Sequence, residues 1–346
     1  MARESAPRRR AVFVDLLRLI ASFQMIQGHT LDALMQDGLR QGALFATWSY
    51  VRGLTSVSFL FAAGLSFHLA TLLDLDAHRA SAGAVRHRLG RGAWLIVLGY
   101  LMHLPVGARS GAEALRIGGI VDVLQCIGLT LLLLEGLSLA LRDARHVTWA
   151  AGALGLLSFA LWPLTEPLGQ SPGLSSNWVS HASGSIFPVV PWAGHMLLGT
   201  ALAGLALPRG ASTSTTRTTL VLGGAGVLFT LLGVLGYREE LPALARLTNL
   251  GLVSLLSALL VLGSRRVARL PKRLELLAGE TLFLYVFHVV LLYGAYVGLG
   301  ALVGHRLDLA HGLLAVAVLS ALSAGLAFAW HAAKQARRRR RQSSLA

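Results

Sequence analysis

Apolar runs recur along the chain and are separated by short polar connections. They fall at residues 11–35, 51–73, 92–106, 117–141, 147–164, 187–207, 218–236, 247–263, 279–303 and 310–333. Most are close to the roughly 20 residues that a helix needs to cross a bilayer. In lipid every backbone polar group must be satisfied within the chain, which favours helices for spans of this kind. The pattern therefore predicts an all-α fold, a polytopic transmembrane helical bundle of about ten spans. The third run is short and stops at Pro105, and residues 185–192 read as a re-entrant or broken element. A basic arm (1–10) precedes the transmembrane domain (11–333), and a basic tail (334–346) follows it.

The first run breaks the apolar pattern. It carries Asp15, Arg18, Gln24, Gln27, His29 and Asp32, and ionisable groups at membrane depth are costly enough to mark a functional site by default. At 100° per residue, Arg18, Ser22, Met25, His29 and Gln36 lie within about 40° of one line, with Asp15 and Asp32 beside it. Arg18 and His29 are separated by roughly 16 Å along the axis, so the polar row is long.

Composition agrees with a membrane protein: 346 residues, 54% hydrophobic and only 14% charged. The net charge of +15 does not point to nucleic acid, because the basic residues form short clusters between apolar runs with no interleaved aromatics. With the N-terminus inside, the inner segments hold 23 of the 31 Lys and Arg and the outer loops hold seven, which places both termini in the cytoplasm. The single Cys126 excludes an intrachain disulfide and a cysteine-based metal set. The histidines show no metal-ligand spacing, so no metal is expected. A retained first helix, rather than a cleaved leader, follows from Asp15, Arg18 and the lack of a small-residue cleavage site after the run.

His29 is the leading general-base candidate, since its ordinary pKa lies near neutrality; the competing reading is a helix–helix hydrogen bond. Arg18 suits the phosphates or carbonyls of a cytoplasmic donor, or else pairs with Asp15 three residues earlier. Asp122 and Gln125 make a second polar patch in an apolar segment, and the buried carboxylate needs a partner, for which Arg18 and His29 are the available cations. His288 is a third lone polar group in a span, with Glu280 two turns before it. Trp178 and Trp192, near the Ser/Gly/Pro-rich outer loop 165–185, read as a sugar platform or as interfacial anchors. No Walker loop and no GxSxG elbow is present.

Several blocks, RAVFVDLLRLIASFQMIQGH, SFLFAAGLSFHLA, RHRLGRGAWLIVLGYLMHL, DVLQCIGL, FPVVPWAGHMLLGTALAG and ETLFLYVFHVVLLY, together resemble the bacterial relatives of heparan-alpha-glucosaminide N-acetyltransferase, within the wider transmembrane acyltransferase superfamily. The resemblance runs from Arg10 to about Tyr296. It implies a multi-pass acyltransferase of the bacterial inner membrane that moves an acetyl group from cytoplasmic acetyl-CoA, a co-substrate, to a sugar or glycan acceptor. Carried over, His29 would be the base or transient acyl carrier, with Asp15 and Asp122 in support. Arg18, Gln125 and Arg91 would lie on the donor side, and Trp192, His288 and Trp178 on the acceptor side. One departure is that the animal lysosomal enzyme has Asn where this chain has His29 and a His in the following loop, whereas residues 36–50 here contain none. The expected partners are the lipid bilayer, acyl-CoA, the glycan and, compatibly, further copies of the chain. The alternative from another class is a transporter or flippase that uses the same stripe as a relay.

Overall fold

The computed structural model describes residues 11–106, 108–170, 173, 175–207, 215–294 and 298–343. Its helices are α1 (Val12–Leu34), α2 (Gly42–Thr71), α3 (Leu75–Ala80), α4 (Ala82–Met102), α5 (Gly111–Gly118), α6 (Val123–Ala140), α7 (Ala144–Thr165), α8 (Val189–Ala206), α9 (Thr215–Arg238), α10 (Pro242–Ala245), α11 (Leu247–Gly263), α12 (Lys272–Gly279), α13 (Thr281–Tyr293), α14 (Leu299–Leu302) and α15 (Leu309–Ser343). Among the described residues the only strand-like pairing is an isolated bridge between Met35 and Leu307. The fold is all-α, as the apolar pattern predicts.

Among the described residues, seven helices are long and apolar enough by themselves to cross a membrane, or eight if α12 and α13, bent by 66°, count as one span. The expected ten included α1 and α4. Both exist as long helices, but Asp15, Arg18, Asp32 and His29 in α1, and Arg86, Arg88 and Arg91 in α4, dilute their apolar character. The arm (1–10) lies outside the described residues, and α15 continues through the basic tail as far as Ser343.

The chain divides into two compact units. The first comprises residues 1–14 and 56–266, the second residues 15–55 and 267–346. In the first, Leu60, Phe67, Leu72, Cys126, Leu134, Val147, Ala151 and Met196 make one buried cluster. Here α2 and α8 pack backbone to backbone. A Cβ at Gly64 would run into the Met196 carbonyl oxygen, and one at Gly199 into that of Phe61, while the Thr200 hydroxyl donates to the Gly64 carbonyl. Close helix approach through small residues is the usual way apolar helices gain contact in lipid, where there is no hydrophobic drive between them.

In the second unit, Ile26, Ala33, Leu34, Leu292 and Leu319 pack together and bring α1, α13 and α15 side by side. The Gln36 N–H donates to the Leu307 carbonyl and the Leu307 N–H to the Leu34 carbonyl, which fixes the C-terminal end of α1. Glu280 sits at the break between α12 and α13 and binds Lys334 and His331 of α15. The sequence places Glu280 on the His288 side of one continuous span. The helix instead ends at Gly279, and the carboxylate is committed to α15.

Candidate active site

His29 and His288 meet in the second unit. His29 Nδ1 lies 2.9 Å from His288 Nε2, and the rings stack with centroids 5.1 Å apart and planes 20° from parallel. His288 is fully buried, and its Nδ1 faces the Leu284 carbonyl oxygen one turn earlier. A carbonyl only accepts, so His288 Nδ1 carries the proton. With both rings neutral, His288 Nε2 is then the acceptor, His29 Nδ1–H donates to it, and His29 Nε2 keeps its lone pair. The Tyr293 hydroxyl donates to the His29 carbonyl at 3.1 Å, and its ring meets the His29 imidazole edge-on at 5.8 Å.

α1 presents this histidine because the run is apolar on the face that packs against Leu292 and Leu319 and polar along the stripe. Further charges surround it. Arg52 forms an ion pair with Asp32 and lies over the Trp48 ring at 5.4 Å. Its aliphatic stem crosses Gly28, where a Cβ would come within 2.7 Å of Arg52 Cγ and Cδ. Arg40 donates to the Asp32 and Met35 carbonyls at the end of α1. The sequence reading counts Arg52 among the outer-loop charges, but α2 starts at Gly42, nine residues before the apolar run, so Arg52 lies inside the helix. Arg52 and Tyr293 were missed as site residues. Arg52 stands at the start of one apolar run and Tyr293 inside another, and only the fold puts them beside His29.

The other expected site residues fall out as follows. Arg18 Nη1 is 3.9 Å from Asp15 Oδ1, the i, i+3 pair that their spacing allows. Asp122 is not a mid-helix charge: it is the N-cap of α6, and with Gln125 it closes a capping box. Gln125 Oε1 accepts the Asp122 N–H, and its Nε2 donates to the Ile120 carbonyl. The amide is therefore spent on the backbone. A D-x-x-Q spacing before an apolar run is itself a helix-start signal, and that reading competes with the patch. Arg91 is exposed on α4. In the first unit Trp178 meets Tyr100 edge-on, and Trp192 Nε1–H donates to His181 Nε2 at 2.8 Å.

A cleft of about 450 Å³ in the first unit is lined by Thr215, Thr216, Thr219, Leu220, Leu262, Arg265 and Arg266. Among the described residues no three His, Cys, Asp or Glu side chains gather as a metal-binding set.

Residues 10–237 match the family model described as heparan-alpha-glucosaminide N-acetyltransferase, catalytic. None of the curated proteins compared matches the chain.

Proposed function

Because the chain belongs to the heparan-alpha-glucosaminide N-acetyltransferase catalytic family, a family of multi-pass membrane acetyltransferases, we propose that it transfers an acetyl group from cytoplasmic acetyl-CoA to a hydroxyl or amine of a sugar or glycan acceptor, in the bacterial inner membrane, with His29 as the general base. The observation that carries this reading is the His29–His288 pair at 2.9 Å, anchored through the Leu284 carbonyl.

His29 Nε2 takes the proton of the acceptor O–H or N–H as that atom attacks the thioester carbonyl carbon. The new C–O or C–N bond forms and the C–S bond breaks. The proton then returns from His29 Nε2 to the departing thiolate, which leaves as CoA. Throughout, His29 Nδ1–H stays bonded to His288 Nε2, so the positive charge that develops on His29 sits beside a neutral, oriented acceptor. A base held by a second group is the general form of such sites. Arg18 and Asp15 supply a charged pair about three to four turns along the same helix, and Arg52 with Asp32 a second.

The test is CoA release by the purified, detergent-solubilised protein from acetyl-CoA in the presence of a panel of amino sugars and neutral sugars. Acceptor-dependent CoA release supports the reading, and its absence across the panel, with no binding of acetyl-CoA, overturns it.

A further inference from the structure

Within the first unit, the antiparallel pair α9 and α11 ends in a cationic cleft that the proposed proton transfer does not use. Close contacts set the register of the pair. The Ser254 hydroxyl donates to the Leu222 carbonyl at 2.7 Å, and a Cβ at Gly226 would run into the Leu255 backbone nitrogen and the Gly251 carbonyl oxygen. The start of α9 and the end of α11 therefore lie side by side, and the cleft of about 450 Å³ opens there. That size falls in the roughly 300–1,000 Å³ range of small-molecule sites. Thr215, Thr216 and Thr219, from the first two turns of α9, face Arg265 and Arg266, which follow the last turn of α11.

The cleft holds cations and lacks a counter-charge. No Asp or Glu occurs in α8, α9 or α11, nor anywhere in residues 167–238 and 241–274. Arg265 and Arg266 are exposed, and among the described residues neither forms an ion pair. Arg217, at the same end of α9, is already engaged, since its Nε donates to the Leu205 carbonyl at 3.0 Å. The Thr219 hydroxyl is buried with no hydrogen-bond partner among the described residues, so a donor is left unspent in the cleft wall. About one turn further along each helix, Leu220 and Leu262 line the same cleft and are exposed. A cationic, hydroxyl-rich rim over bare leucines suits an amphiphile better than a soluble anion, which would leave the leucines uncovered. On the orientation that the Lys and Arg distribution predicts, this end faces the cytoplasm, the side on which basic pockets between helices meet anionic headgroups.

We propose that this cleft binds the phosphodiester headgroup of an anionic phospholipid of the cytoplasmic leaflet. Arg265 and Arg266 make two-point contacts with the phosphate oxygens. The threonine hydroxyls donate to the oxygens that remain, and the acyl chains run over Leu220 and Leu262. Positive charge that only fixes topology would act through the count of basic residues at this end, Arg217 included. A built site depends on Arg265 and Arg266 and not on Arg217. The inference is independent of the acetyltransferase reading, since lipid binding is measured with no acetyl-CoA or acceptor present, and either can fail alone.

The experiment is native mass spectrometry of the full chain in detergent, titrated with phosphatidylglycerol or phosphatidylcholine at equal concentration. The one-lipid adduct of the native protein should favour phosphatidylglycerol by about tenfold, the scale set by two basic residues acting on one anionic headgroup. The double variant Arg265→Gln, Arg266→Gln brings the two lipids to similar occupancy, and Arg217→Gln leaves the native preference. Thr216→Glu sets a carboxylate in the cleft at the positive end of α9, where a helix accommodates one, and lowers the preference too; it decides the matter if the double variant fails to fold. Equal occupancy of the two lipids in the native protein overturns the site. So does a preference that survives both the double variant and Thr216→Glu, or one that Arg217→Gln lowers as far as the double variant does, which is the mark of diffuse surface charge. Glycerol 3-phosphate and CoA, each added at the concentration of the lipid, should leave the adduct in place. Displacement by either would make the cleft a site for a soluble phosphate and overturn the lipid assignment.

Discussion

His29 was legible as a candidate from its place in an apolar run, because a polar group at that depth demands a reason. Its partner was not, because His288 lies 259 residues away and only the packing of α1 against α13 joins them. The pair makes a distinction that a lone histidine does not. His288→Gln places an acceptor oxygen near the old Nε2 and should keep a measurable part of the rate. His288→Leu removes the acceptor and should lower CoA release by about 10–100-fold, as loss of an orienting partner does elsewhere. Steady-state rates of the two variants check this, and equal rates would show that His288 does not act through His29. Arg18 with Asp15 was readable from i, i+3 spacing alone. Asp122 and Gln125 read in sequence as a buried polar patch, and a capping box looks the same until the helix start is known.

At the scale of elements, the runs predicted the long helices, while the short connecting helices, the ends and the breaks came from tertiary structure. α2 begins at Gly42 rather than at residue 51, and the expected span 279–303 opens on a 66° bend at Glu280. Two predictions belong here. Gly64→Val forces α2 away from α8 and should cost on the order of 1–3 kcal/mol, seen as a lower Tm of the purified protein; an unchanged Tm would contradict the close approach described. His181, in the loop outside the spans, has its pKa held below the ordinary 6.5 by burial and by the charge of Arg246, against the opposing pull of Glu166. A histidine whose folded pKa is depressed gives stability that is complete above about pH 6.5 and is lost as the pH falls below it. Melting of the native protein should therefore drop between pH 7 and pH 5 by more than that of His181→Gln. Identical pH dependence in both would remove His181 from the account.

For the whole molecule, membrane character and all-α architecture followed from the apolar runs. The division of the chain into two units, with residues 15–55 joined to 267–346, had no signature in sequence order. The Lys and Arg asymmetry predicts that both termini face the cytoplasm, and terminal reporter fusions in intact cells should read the same, cytoplasmic side for both. Opposite readings would require an odd span count. The central claim is that His29 performs the proton transfer of an acetyl-CoA-dependent reaction. It is tested most directly by comparing acceptor-dependent CoA release by the native protein and by His29→Ala, each first shown to be folded by its melting curve. A loss of about 10²–10⁴-fold in His29→Ala is predicted, the range expected for removing a general base; release at the native rate would contradict it.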